Sequence, residues 1–246
     1  MVTLNFNCLY SHSLAKERLI LRKNEIMRYM GQRDTEDNLI MAQTDKLLPV
    51  VCDALNLKGV FTIRKIDSIN SKILISDNLT IKSESLMKNL EGCNSIIIFA
   101  LTAGAEIDRL LSKQAHISPL NELIISAIAT EAIECYADIW TEEIRKTFEK
   151  SNLYLKPRFS PGYGDFSLKY QQDIISILQT PSRCGICMTD KLILTPSKSI
   201  TGVVGITEAY TKCVDSDCSI CEKTDCQFRK FKPDTKQQNF ERRNRI

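Results

Sequence analysis

Apolar residues recur along this chain with two different periods, and the switches between them divide it into elements. Residues 14–30 form a charged amphipathic stretch with Ile20, Ile26, Met27 and Met30 available for one face and Gly31 as a stop, which predicts a helix. A second helix is expected from a cap at Thr35 through Leu39, Ile40, Leu47, Leu48 and Val51 to about Leu55. Residues 60–66 and 72–75 alternate and read as paired strands, with a third extended piece at 80–82. Ser83 and Ser85 are candidate caps for a short helix ending at Gly92. Residues 95–101 are continuously apolar, as in a strand buried on both faces, and lead through Thr102-Ala103-Gly104-Ala105 into a helix that continues through Leu111.

The strongest helix signal follows. Ser118-Pro119 combines a capping hydroxyl with proline at the first helical position, and the pattern then runs to about Glu149. Its inner face is expected to include Leu123, Ile124, Ala127, Ala132 and Trp140. After a loop broken by proline and glycine, Ser167 caps a helix through Ile174, Ile175 and Leu178, ended by Pro181. Residues 186–189 and 192–194 predict a hairpin around Asp190-Lys191, and 201–207 a last strand. Helices and strands mix without a regular β-α-β beat. The expected class is α+β, a mixed or antiparallel sheet with flanking helices and one long central helix.

Composition narrows the class. A hydrophobic share of 43% and a charged share of 26% are those of a soluble folded domain and exclude a disordered chain. The 246 residues divide into a domain over 1–209, a cysteine-rich segment over 210–231 and a basic tail over 232–246. From residue 228 onward seven basic residues stand against two acidic ones, which leaves residues 1–227 at −2 of the net +3. The main body is therefore no platform for nucleic acid, and the tail reads as a solvated end. Residues 1–16 lack the basic start and apolar run of a secretion signal, and no stretch has the length to span a bilayer. The expected location is the cytoplasm, with no membrane partner, where ten cysteines stay reduced or bind metal.

Candidate chemistry concentrates in Arg158-Phe159-Ser160-Pro161-Gly162-Tyr163-Gly164-Asp165. Pro161 fixes φ and Gly162 accepts positive φ, so residues 160–163 read as a tight turn. Arg158 suits a carboxylate, Tyr163 a flat ring or a cation, and the glycines let a ligand lie against the main chain. The alternative is a polar loop whose arginine pairs with a neighbouring acid. Glu131 and Glu134 are neighbours on the long helix, within small and apolar residues, which leaves an inward role open beside a solvated one. The turn at 102–105 is either a place where a ligand meets backbone N–H groups or simply how such chains turn. Cys213, Cys218, Cys221 and Cys226, spaced C-x4-C-x2-C-x4-C, offer an all-thiolate site for zinc or an iron–sulfur cluster, or are four reduced thiols in a loose terminus. Cys184 and Cys187 form a second C-x2-C that packing alone would explain. His12 and His116 have no metal spacing, and neither a nucleophile elbow, a phosphate loop nor a dinucleotide fingerprint occurs.

The run RFSPGYGDFSLKYQQ (158–172), followed by LTPSKSITGVVGI (194–206), resembles the activation domain of vitamin B12-dependent methionine synthase, most of all its free-standing bacterial forms. EIMRYMG (25–31), ALTAGAEID (100–108) and ATEAIECYAD (129–138) support the resemblance, which covers most of residues 24–207. It implies a protein that binds S-adenosylmethionine and supports reductive remethylation of cob(II)alamin, with an electron from a donor such as flavodoxin. It further implies that Arg158 takes the methionine carboxylate or nearby polar groups, that Pro161, Gly162 and Tyr163 line the nucleoside, and that Gly202, Val203 and Val204 form the opposing strand. Glu131 or Glu134 would answer the ammonium or sulfonium charge. The chain departs from the large enzyme in having Val203-Val204 where that enzyme has adjacent tyrosines, and in lacking a match for an early acidic contact. No Asp-x-His-x-x-Gly cobalamin pattern is present, so the corrinoid would sit on a separate methionine synthase or related protein. The competing reading is non-enzymatic, a zinc-stabilised module that docks a corrinoid or other partner.

Overall fold

The computed structural model describes residues 5–31, 37–69, 72–75 and 79–209. Its centre is a sheet in which every strand pairing is antiparallel. Strands β1 (Leu9–Ser13), β2 (Lys58–Ile69), β3 (Lys72–Ile75), β4 (Leu79–Ile81), β5 (Ser95–Thr102), β6 (Tyr154–Leu155) and β9 (Ser199–Thr207) take the order β4-β3-β2-β5-β9-β6. The long β2 shares one edge between two partners, β1 along residues 58–62 and β3 along 66–69. Two short strands, β7 (Cys187–Met188) and β8 (Leu194–Thr195), form the predicted hairpin apart from the main sheet.

Side chains of β5 alternate between two apolar cores, as a strand's period of two requires. Ile97, Phe99 and Leu101 face one core, and Ile96, Ile98 and Ala100 face the other. All eight residues of β5 are buried, which is why the sequence there is apolar without alternation. The first core lies under α1 (Lys23–Tyr29), α2 (Asn38–Ala54), α4 (Ala105–Ala115) and α5 (Pro119–Glu149). The second lies under α3 (Glu84–Asn89) and α6 (Tyr170–Leu178), with the single-turn α7 (Thr180–Arg183) following. The α+β class, the antiparallel sheet and the long helix are as expected from the sequence.

Helix α5 begins where predicted, with the Ser118 hydroxyl accepting the N–H of Asn121 and Pro119 in its first turn. Trp140, at the middle of its inner face, is fully buried against Phe61 and Phe99, with ring centroids 5.7 and 4.8 Å away. Leu123 does not join that face. It is 47% exposed, and Ile124, Ala127 and Ile128 carry the contact instead.

The N-terminal expectation is corrected. Only Lys23–Tyr29 is α-helical, and residues 14–22 run as an extended strap with one 3-10 turn at Lys16–Arg18. The strap's charges have partners on α5: an Arg18 guanidinium N–H donates to Glu143 at 2.6 Å and Arg22 Nε to Glu131 at 2.8 Å. Leu14, Leu19 and Leu21 pack on the first core while Ile20 is 72% exposed, a division that the helical reading does not give. Thr35 lies outside the described residues, and the side chain of Asp37 caps α2 by accepting from the N–H groups of Leu39 and Ile40.

Trp140→Ala should lower unfolding stability by about 4 kcal/mol, as expected for emptying a well-packed aromatic site. Urea unfolding followed by circular dichroism, compared with wild type, measures it.

Candidate functional site

The loop at 158–165 is built onto the edge of the sheet. From β6 the chain follows β9, with Lys156 N–H on Gly205 O and a two-way backbone bridge between Phe159 and Val203, all at 2.9 Å. The tight turn then forms as expected. Tyr163 N–H donates to Ser160 O at 3.0 Å, and Gly162 takes φ of 100°. Phe166, buried in the second core, anchors the far side, and its carbonyl accepts the N–H of Gly162 at 2.7 Å. Asp165 ties the loop to the start of α3. Its carboxylate accepts from the Ser83 hydroxyl at 2.7 Å and from the N–H groups of Glu84 and Ser85 at 2.7 and 3.0 Å.

Arg158 reaches across to α5. One guanidinium nitrogen donates to the Thr141 hydroxyl at 3.0 Å, and another to Asp138 at 2.8 Å with Glu134 at 3.6 Å. Here the arginine has both a hydroxyl and two carboxylates around it. Glu134 is also felt by two tyrosines. Burial pushes the Tyr29 hydroxyl up to about 12, with the charge of Glu134 the next contribution. The Tyr163 hydroxyl is raised too, by desolvation and then by Glu134, with Arg158 opposing, although the residue as a whole is 56% exposed. The Tyr163 ring lies edge-on to Phe159 at 5.8 Å. Tyr29, Glu134, Asp138, Arg158 and Tyr163 therefore form an electrostatic group between α1, α5 and the loop.

Glu131 faces elsewhere. It is fully buried, and Arg22 holds it through Nε at 2.8 Å and its backbone N–H at 3.3 Å. Burial raises the Glu131 carboxyl and Arg22 counters it. On a helix, positions 131 and 134 differ by about 60° in direction, enough to send one to the strap and the other to the loop. Gly202 lets the loop approach, since a side chain there would lie 2.9 Å from the Phe99 ring and 3.0 Å from Phe159 O. Val203 and Val204 are fully enclosed, one in each core, and so form the floor beneath the loop. Pro161 is buried at the turn.

Sequence reasoning gave no site role to Tyr29, Asp138, Thr141 or Lys198. Ser126, Thr130, Glu134 and Asp138 recur every four residues, and that polar row on a helix with a buried apolar face was the available signal. Lys198 donates to the Ser126 and Thr130 hydroxyls at 2.9 and 3.0 Å. The turn at 102–105 is packed rather than open, because a side chain on Gly104 would lie 2.8 Å from Asn56. Cys184 is buried and Cys187 exposed, both as free thiols. Cys213, Cys218, Cys221 and Cys226, with the segments 210–231 and 232–246, lie outside the described residues. Among the described residues no group of three or more histidine, cysteine or acidic side chains could hold a metal ion. No described helix is long and apolar enough to cross a membrane.

Two comparisons place the chain. Residues 77–212 match the family described as vitamin B12 dependent methionine synthase, activation domain. The fold matches the crystal structure of the MetH reactivation domain bound to AdoHcy, with a TM-score of 0.65 and 15% identity over 85% of this chain and 81% of that one. No curated protein matches.

Two outcomes follow from the charges. Arg22→Ala should destabilise the fold by about 3 kcal/mol, because it strands a buried carboxylate, while Arg22 itself is 47% exposed and can be solvated when Glu131 is lost. Adding Glu131→Gln to Arg22→Ala should recover much of that loss in a double-mutant cycle. The deficit should also shrink at low pH, since a carboxyl whose folded pKa is raised is protonated more readily in the fold. The second outcome concerns Asp165, whose carboxyl is held well below the usual range by the Ser83 hydroxyl and the Glu84 and Ser85 N–H groups. Its stabilising effect is present above the ordinary carboxylate range and is lost as pH falls towards the depressed value. Asp165→Asn should therefore flatten the acid limb of a thermal-melt series between about pH 5 and 2.

Proposed function

Because the chain belongs to the vitamin B12-dependent methionine synthase activation domain family, we propose that it binds S-adenosylmethionine between α5 and the 158–165 loop, and there supports reductive remethylation of a corrinoid held by a separate protein. The observation that carries this reading is Glu134, a partly exposed carboxylate 3.6 Å from the Arg158 guanidinium whose charge also helps to raise the Tyr29 and Tyr163 hydroxyls. S-adenosylmethionine is a sulfonium cation joined to a flat adenine, so it calls for an anion beside aromatic faces.

In this reading Glu134 and Asp138 answer the sulfonium and ammonium charges. Tyr163, on the rim of the loop, offers its ring to the nucleoside, and Gly162 leaves the main chain open to close approach. Arg158 fixes the two carboxylates and clamps the loop to α5. Val203 and Gly202 contribute by carrying the loop, and Glu131 by fixing the strap that leads into α1 and Tyr29. The protein's work is to hold and orient the methyl donor and to keep water away from it. The bound corrinoid of a methionine synthase or related partner supplies the methyl acceptor, with one electron from a donor such as flavodoxin. The residues of this chain bring the donor to that cofactor.

Titration calorimetry tests the first step. Wild-type protein should bind S-adenosylmethionine, and Glu134→Gln should weaken it about tenfold through loss of the opposing charge. No heat of binding in wild type, or unchanged affinity in the variant, would refute the reading. For the second step, adding the protein, S-adenosylmethionine and a one-electron reductant to a cob(II)alamin-loaded methionine synthase should convert its visible spectrum to that of methylcobalamin, and Glu134→Gln should slow that change.

A further inference from the structure

Lys198 is a cation on this face of α5 that makes no ion pair among the described residues, its nearest electrostatic neighbour being Asp108. It enters from the segment just before β9, which is held in place on both sides. Its own carbonyl accepts the Ala103 N–H at 2.8 Å, and the neighbouring Ser197 N–H donates to Asp108 at 2.8 Å. Its ammonium donates to the Ser126 and Thr130 hydroxyls. Thr130 in turn donates to Ser126 O at 2.7 Å, so that hydroxyl is oriented to accept from the lysine. Among the described residues Lys198 makes no ion pair, whereas Arg158 is engaged by Thr141, Asp138 and Glu134. An ammonium has three N–H groups, and the two hydroxyls use two of them. Burial lowers the Lys198 ammonium, and Asp108 counters it only in part. A charge set in such a place gains from an arriving anion, and hydroxyl dipoles do not neutralise it.

We propose that Lys198, and not Arg158, takes the carboxylate of the amino-acid part of S-adenosylmethionine. This rests on the binding reading above and names the residue that recognises one end of the ligand. The spacing fits. Thr130, which holds Lys198, and Glu134, which would face the sulfonium, are four residues apart on α5, a rise of about 6 Å. In methionine the carboxylate carbon and the sulfur are separated by four single bonds, roughly 5 Å when extended. The row Ser126, Thr130, Glu134, Asp138 thus reads as a ruler, with its cation at one end and its carboxylates at the other. Arg158 keeps those carboxylates in place.

The test compares S-adenosylmethionine with its decarboxylated analogue, which keeps the sulfonium, amine and nucleoside. By calorimetry wild type should prefer the carboxylated ligand on the order of tenfold to a hundredfold, the range for a charge-assisted contact. Lys198→Met should erase that preference by weakening S-adenosylmethionine alone, and Lys198→Arg should keep most of it. Circular dichroism melts that match wild type establish that both variants are folded. A preference that survives in Lys198→Met, or that disappears instead in Arg158→Met, overturns the assignment. Equal wild-type affinity for both ligands also overturns it while leaving the binding reading intact. Wild type that binds neither removes both.

Discussion

The whole arrangement depends on α5 lying flat across the sheet with its apolar face closed. Trp140 wedges against Phe61 and Phe99 at the middle of that contact, and Ile124, Ile128, Ala132 and Tyr136 continue it along the helix. A helix of 31 residues fixed along one side can present its other sides only in a set order. One side receives the N-terminal strap and another receives the loop at 158–165. Neither segment has a hydrophobic core of its own at these points. Besides its own packing, each pairs with side chains whose direction the helix has already set.

Electrostatics then divides the two sides. Glu131 and Glu134 are three residues apart and chemically identical, yet they do different things. Glu131 is sealed from solvent and satisfied by Arg22, so its charge is committed to the fold. Glu134 is partly open to solvent, and its arginine sits at 3.6 Å. A carboxylate that is only loosely paired keeps the ability to meet another cation, and one that is buried and fully paired does not. The geometry of a single helical turn is what separates structural charge from available charge.

The elements legible in the sequence were those specified by neighbours in the chain. Ser118-Pro119 announced α5, the unbroken apolar run announced β5, and Pro161-Gly162 announced the turn. What stayed illegible was set by partners far away in sequence. Residues 14–22 have the charge and apolar content of an amphipathic helix, but Arg18 and Arg22 find Glu143 and Glu131 more than a hundred residues on, and the strap wins. Strand β1 was missed for the same reason, since its partner is residues 58–62 of β2, beyond the reach of any local pattern. The loop's arginine was visible, but its pairing with Asp138 was not, because no local period links residue 158 to the long helix. Val203 and Val204 were read as a wall of the site from their place in a motif. Alternation along β9 places one in each core beneath the loop.

Asp165 carries a consequence for motion. The same carboxylate closes the loop and occupies three donors at the head of α3. The turn and the helix are therefore one cooperative unit, and the loop cannot swing outward without uncapping α3 and leaving backbone N–H groups to water. Opening of the loop is coupled to fraying of α3, which lies on the face of the sheet opposite α5. Amide exchange at Glu84 and Ser85 thus reports on the rim of the site.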